Sequence, residues 1–109
     1  MATRRFQSFE EFWPFYLKEH SKRATRTWHF VGTTIGLLFS ISVLLAGSPA
    51  LVPLGLLPGY ASSWFSHFFI EKNRPASWTY PLWSFMGDWK MWGFIVSGRI
   101  DSEVTRLGV

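Results

Sequence analysis

The longest feature of the chain is an apolar run without a charged residue, from Thr27 to Ile70. A transmembrane helix needs about 20 apolar residues to cross a hydrocarbon core about 30 Å thick, so this run is long enough for two spans. Gly47-Ser48-Pro49 supplies a turn signal in its middle. The pattern therefore predicts a helical hairpin with one span over 28–46 and a second over 51–70.

The segment before the hairpin has the period of an amphipathic helix. Ser8 and Glu11 fit a capping box, in which the serine side chain caps the helix and the glutamate side chain bonds back to the main chain of the serine. Apolar residues then recur at three- and four-residue intervals as far as His20. We predict an amphipathic helix over 8–20 that lies along the membrane surface or packs under the hairpin.

A second apolar stripe follows the hairpin over 81–98, with Asp88 near its middle. Because a carboxylate deep in lipid is costly, we expect this helix to lie at the membrane interface or to be partly inserted. The polar tail from Arg99 is expected to end the ordered part. The fold class predicted is an all-α integral membrane protein, a single domain over 1–109 built on a two-span hairpin with interfacial helices at both ends.

Charge gives the hairpin an orientation. The net charge is +4, and the turn between the spans carries no charged residue. By the positive-inside rule both termini are cytoplasmic, in a bacterial inner membrane or an endoplasmic-reticulum-type membrane. The cations that flank the spans are Arg4, Arg5, Lys18, Lys22, Arg23, Arg26, Lys72 and Arg74.

The aromatic residues point to the same lipid surface. The chain has seven tryptophans, and none lies within 33–60. Since tryptophan prefers the headgroup level, they form an aromatic layer on the cytoplasmic side. The basic and aromatic residues are thus explained by lipid, and we predict membrane lipid and no nucleic acid as a partner. A homodimer is expected as an alternative to the monomer, because the hairpin alone buries little surface.

The chain has three histidines, and the hairpin places them at one depth. His29 and His67 both lie roughly 28 Å from the turn, at about 1.5 Å rise per residue. His20 ends the helix at the same face. One continuous helix would hold His20 and His29 about 13.5 Å apart, so the chain must bend between them if they share a ligand.

Three imidazoles with carboxylates nearby and no sulfur suit iron, zinc, copper or manganese. A set of three histidines with open coordination positions is typical of non-haem Fe(II) oxygenases. We predict His20, His29 and His67 as metal ligands, and the interpretation that they are only hydrogen-bonded interfacial anchors stays open. Glu71 and Asp88 are the candidate catalytic carboxylates, and they could also orient the imidazole rings.

Two stretches carry a family resemblance: "FYLKEHSKRATRTWHFVGT" (15–33) and "HFFIEKNRPA" (67–76). They resemble a small membrane family whose studied member is a fungal endoplasmic-reticulum dioxygenase. The family activity is Fe(II)-dependent α-oxidation, in which a 2-hydroxy fatty acid and O₂ give a fatty acid one carbon shorter. The resemblance covers about 9–91 and implies that His20, His29 and His67 hold Fe(II). From the residues alone, Zn(II) stays open as the alternative metal.

The substrate so implied is a 2-hydroxy fatty acid, whose carboxylate and hydroxyl oxygens can chelate iron. Lys72 and Arg74 are candidates for pairing with that carboxylate. Asn73 and Tyr16 complete the candidate substrate-binding residues, although Asn73 could instead cap the second span. Two other classes of function stay open: a non-catalytic lipid-binding or scaffold protein, and a zinc-dependent membrane hydrolase with Glu71 as general base.

Overall fold

The structure is a computed structural model, and it describes residues 6–109. Every regular element within those residues is helical, which confirms the all-α fold class. Arg4 and Arg5, which belong to the predicted basic flank, lie outside the described residues. The α-helices of the described part are α1 (Phe9–Lys18), α2 (Arg23–Leu45), α3 (Leu56–Ser66), α4 (Pro81–Val96) and α5 (Ile100–Leu107).

Backbone contacts divide the chain into two compact units. The central unit is Lys22–Pro75, and the terminal unit joins the residues up to Ser21 with Ala76–Val109. Each unit has its own helices: α2 and α3 belong to the central unit, and α1, α4 and α5 belong to the terminal unit. The single membrane domain predicted over 1–109 stays a prediction.

The terminal unit is built around the apolar face of α1. Phe12, Trp13, Tyr16 and Leu17 are buried there in one cluster with Met91 of α4. The start of α1 follows the predicted capping pattern in part, since the Oγ of Ser8 accepts the N–H of Glu11 at 3.3 Å. The Glu11 carboxylate accepts the N–H of Gln7 at 3.0 Å, one residue before the cap.

The expectation that order ends at Arg99 is wrong, because Ile100–Leu107 forms α5. Glu103 ties this helix to α1: its carboxylate accepts the indole N–H of Trp13 at 2.7 Å and two guanidinium N–H groups of Arg106 at 2.8 and 2.7 Å. The hydrogen bond with Arg106 is the main reason that the pKa of Glu103 falls to about 2. A carboxylate bonded on two sides keeps the polar tail folded.

The central unit contains the predicted hairpin. Among the described residues, α2 is the one helix long and apolar enough to cross a membrane. The second predicted span, over 51–70, is helical but not one regular helix. A 3₁₀ segment (Pro49–Gly55) leads into α3, and a π-helical turn (His67–Glu71) ends it. Pro53 lies inside the 3₁₀ segment, where its missing N–H works against a continuous α-helix. The two-span arrangement therefore stays a prediction.

Small residues let the two arms of the hairpin touch. The first arm is α2, and the second arm is the helical stretch from Pro49 to Glu71. A Cβ added at Gly36 would lie 2.0 Å from the carbonyl oxygen of Gly55, and one added at Gly32 would lie 2.5 Å from that of Pro58. Close backbone approach of this kind is typical of helices packed in a membrane, where small residues lie at the interface. Away from this contact, α2 and the second arm expose large apolar side chains that include Val31, Ile35, Leu38, Leu44, Leu45, Leu51 and Leu57.

Candidate metal centre

His20 lies where the chain leaves α1. The helix α1 ends at Lys18 and α2 begins at Arg23, so His20 and His29 do not lie on one continuous helix. The His20 side chain is buried, and its Nδ1 lies 2.7 Å from the carbonyl oxygen of Tyr16. The imidazole also stacks on the Tyr16 ring with 4.2 Å between ring centroids. The ring is thus held on one face and at one nitrogen.

His67 opens the π-helical turn at the end of the second arm. It is buried, and its Nδ1 lies 2.6 Å from Oδ1 of Asn73. The main-chain N–H of Asn73 donates to the carbonyl oxygen of His67 at 2.8 Å. Lys72 lies between them with a φ of 63°, a left-handed conformation that turns the chain back on itself. π-Helical turns occur often at functional sites.

His29 is buried on α2, within the same unit as His67. The two rings are nearly perpendicular, at 87°, with 6.3 Å between centroids. One potential ligand atom from each of His20, His29 and His67 lies within 4.8 Å of the others. These three buried histidines could form a metal site.

The three imidazoles form a set of ligands that suits more than one transition metal. Three imidazole nitrogens satisfy part of a tetrahedral or octahedral shell and leave positions for water or another ligand. Both Fe(II) and Zn(II) accept such a set, because imidazole suits either ion. The three buried histidines thus agree with a metal site of either kind.

Glu71 caps the beginning of α2. Its Oε2 accepts the main-chain N–H of Lys22 at 2.5 Å and the hydroxyl of Thr25 at 2.9 Å. A carboxylate at a helix N-terminus is stabilised by the helix dipole and by the N–H groups that lack partners within the helix. The structure thus gives Glu71 a structural role, and its catalytic role stays a prediction.

Asp88 and Tyr16 form a pair inside the terminal unit. The Tyr16 hydroxyl donates to the Asp88 carboxyl group, and the same tyrosine ring stacks on His20. Burial raises the pKa of Asp88 to about 7, although the hydrogen bond from Tyr16 acts in the opposite direction. Two residues predicted separately as a catalytic acid and a substrate contact are therefore bonded to each other next to a candidate ligand.

The two cations predicted to bind substrate, Lys72 and Arg74, are exposed. Arg26, predicted only as a flanking cation, is 8% exposed. It lies three residues before His29 on α2, a spacing that puts the two on neighbouring positions of one helix face. That spacing was visible in the sequence and could have identified Arg26 as a candidate anion-binding residue.

Comparison with known proteins adds the family. The model of the family described as "2-hydroxy-palmitic acid dioxygenase Mpo1-like" matches residues 6–100, a range that contains all three histidines. No curated protein and no solved structure matches the chain. The family match extends over most of the sequence and confirms the resemblance carried by 15–33 and 67–76. The chain belongs to the 2-hydroxy-palmitic acid dioxygenase Mpo1-like family.

Proposed function

We propose that this protein is an Fe(II)-dependent dioxygenase that converts 2-hydroxy fatty acids to fatty acids one carbon shorter. The observation that carries the proposal is the group of buried histidines with potential ligand atoms within 4.8 Å of one another. The family description supplies the substrate class. Bound Fe(II) would supply the activation of O₂, and three protein ligands would leave positions for O₂ and for a chelating substrate.

Basic residues of the central unit are suited to recognise the anionic head of the substrate. Within the central unit Glu71 is the sole carboxylate, and it is engaged at the start of α2. The basic residues of the same unit are Lys22, Arg23, Arg26, Lys72 and Arg74. An excess of cations attracts both a fatty acid carboxylate and anionic headgroups. We propose that the exposed Lys72 and Arg74 draw the substrate head to the site and that the buried Arg26 contributes to holding it.

The membrane supplies the substrate. The apolar side chains exposed along α2 and the second arm fit an acyl environment, and a fatty acid dissolved in the same lipid would reach the protein from the side. We propose an integral membrane protein with both termini on the cytoplasmic side, in line with the position of its cations. The π-helical turn and His67 would then lie at that cytoplasmic face.

Turnover by the purified protein tests the proposal. The protein in detergent is loaded anaerobically with Fe(II), given 2-hydroxypalmitate and O₂, and the products are identified by mass spectrometry. We expect the acid one carbon shorter from the wild type, and none from palmitate, which lacks the hydroxyl. His29→Ala should abolish product formation. A wild type that holds Fe(II) and forms no product would contradict the proposal and favour the lipid-binding alternative.

The hydrolase alternative has its own signature. It requires Zn(II) in the protein and a free carboxylate as general base, whereas Glu71 accepts two hydrogen bonds from the start of α2. Metal analysis of the protein as purified separates the two hypotheses. If the purified protein holds zinc, and replacing that zinc with iron gives no dioxygenase turnover, the result would count against our proposal.

A further inference from the structure

Asn73 contacts His67 twice at the end of the second arm. Its main-chain N–H closes the turn on the His67 carbonyl oxygen at 2.8 Å, and its side-chain Oδ1 lies 2.6 Å from Nδ1 of the same histidine. Lys72, which precedes Asn73, has a left-handed conformation that turns the chain back towards His67. One residue therefore fixes both the backbone and the imidazole of a candidate ligand.

This contact has a consequence for the protonation of the ring. An amide oxygen only accepts hydrogen bonds, so a hydrogen bond between Oδ1 of Asn73 and the ring requires the proton on Nδ1 of His67. In a neutral imidazole with the proton on Nδ1, Nε2 is the nitrogen that can act as a metal ligand. His20 follows the same rule, because its Nδ1 faces the carbonyl oxygen of Tyr16 at 2.7 Å. Metal-bound histidines usually donate their other N–H to an oxygen in this way.

We propose that Asn73 is the positioning residue of the metal site: it holds His67 as the Nδ1–H tautomer and thereby selects Nε2 as the ligand atom. The substrate contact that the sequence predicted for Asn73 stays a prediction. The role in metal binding rests on the proposed function, whereas the tautomer is a property of the apo protein. The two parts can therefore fail separately.

The tautomer is measured in the apo protein. Histidine labelled with ¹⁵N gives signals from just three imidazoles, because the chain has three histidines, and the shifts of Nδ1 and Nε2 report which nitrogen carries the proton. We expect His67 as the Nδ1–H tautomer in the wild type. Asn73→Asp keeps an accepting oxygen and should keep that tautomer, whereas Asn73→Leu should release His67 to the other tautomer or to a mixture.

Affinity for Fe(II), measured anaerobically by competition with a chelator, gives the second readout. Loss of an oxygen that orients a ligating histidine typically costs about 10- to 100-fold in metal affinity, and we expect a loss in this range for Asn73→Leu. Asn73→Asp should stay within a few-fold of the wild type. Gln7→Leu makes the same amide-to-leucine change at an exposed position and should leave both the affinity and the tautomer unchanged.

Two results would overturn the inference. One is a wild-type His67 with the proton on Nε2, which would mean that the Asn73 amide presents its NH₂ group to the ring. The other is an Asn73→Leu protein that binds Fe(II) as tightly as the wild type. If Asn73→Leu does not fold, the wild-type tautomer and Asn73→Asp still decide the question. A wild type that binds no Fe(II) would refute the proposed function and leave the tautomer result standing.

Discussion

Two of the candidate ligands are held at the same ring atom by oxygens of different origin. For His20 the oxygen is the main-chain carbonyl of Tyr16, one helical turn earlier, and for His67 it is the side chain of Asn73. A buried imidazole costs free energy unless its polar atoms are bonded, so these oxygens stabilise the rings before any ion arrives. Rings fixed in advance lose less entropy on metal binding, which raises affinity.

The buried carboxyl group of Asp88 makes the stability of the folded protein depend on pH. Its pKa is raised from 3.8 to about 7, so the folded protein binds this proton more tightly than the unfolded chain. The contribution to stability is fully present below pH 3.8 and is lost as the pH rises towards 7. Its size is on the order of 4 kcal/mol at most, since one pKa unit corresponds to about 1.4 kcal/mol.

We predict that Asp88→Asn removes this pH dependence, because asparagine still accepts a hydrogen bond from Tyr16 but does not titrate. The measurement is the thermal unfolding midpoint in detergent between pH 4 and 8. The wild type should lose stability over this range relative to Asp88→Asn. Asp101→Asn, an exposed aspartate of α5, is the matched control and should follow the wild type. Parallel curves for the wild type and Asp88→Asn would contradict the account.

Variants of Glu71 distinguish a structural role of this carboxylate from a catalytic one. If the carboxylate only caps α2, Glu71→Gln keeps an accepting oxygen for Lys22 and Thr25, and turnover should remain within about 10-fold of the wild type. Glu71→Ala removes the acceptor and should lower stability by about 1 kcal/mol, as loss of a helix cap does. A loss of 100-fold or more in kcat for Glu71→Gln, with normal folding, would instead restore Glu71 as a catalytic residue.

At the scale of the elements, the contact between the arms of the hairpin depends on glycine. A Cβ at Gly36 would collide with the backbone of Gly55, whereas a Cβ at Gly93 in α4 meets nothing within 4 Å. We predict that Gly36→Ala destabilises the protein by about 1–3 kcal/mol through overpacking. Gly93→Ala should be neutral or stabilising by about 0.5–1 kcal/mol, because alanine favours the helix. Unfolding midpoints of the two variants in one detergent compare them directly, and equal midpoints would refute the close contact.

The pattern of apolar residues was sufficient to predict long elements. The span predicted over 28–46 overlaps α2 for most of its length, because a charge-free apolar run of this size favours one helix. The prediction that the three histidines lie at one depth used the rise per residue of an α-helix, and one potential ligand atom from each histidine lies within 4.8 Å of the others. The bend between His20 and His29 was a requirement of that hypothesis, and the chain does leave the helix between Lys18 and Arg23.

Short-range geometry could not be predicted in this way. Hydrophobic period does not distinguish an α-helical turn from the π-helical turn at His67–Glu71, and nothing in the pattern marks Lys72 as left-handed. These two features decide that Asn73 contacts His67. The polar tail was also misjudged: α5 has few apolar residues, and it is held by Glu103 through bonds to Trp13 and Arg106. Contacts between residues distant in the sequence leave no periodic signal.

At the scale of the whole molecule, the distribution of charge predicts the topology of the membrane insertion. Cysteine is absent from the chain, so a single introduced thiol can be labelled without background. In intact bacterial cells we predict that a membrane-impermeant maleimide labels Ser48→Cys, in the turn, and does not label Ser102→Cys, in the exposed part of α5. Permeabilised cells are the control, in which both should react. Labelling of Ser102→Cys in intact cells would contradict cytoplasmic termini.

The stoichiometry and affinity of Fe(II) binding test the central claim most directly. The purified protein in detergent is dialysed anaerobically against Fe(II), and bound iron is measured for the wild type and for the alanine variants of His20, His29 and His67. These are the only imidazoles in the chain, so no other histidine can replace them. We predict one Fe(II) per wild-type chain and a loss of affinity of about 100-fold or more in each variant. One tightly bound Fe(II) that persists in all of the variants would contradict the account.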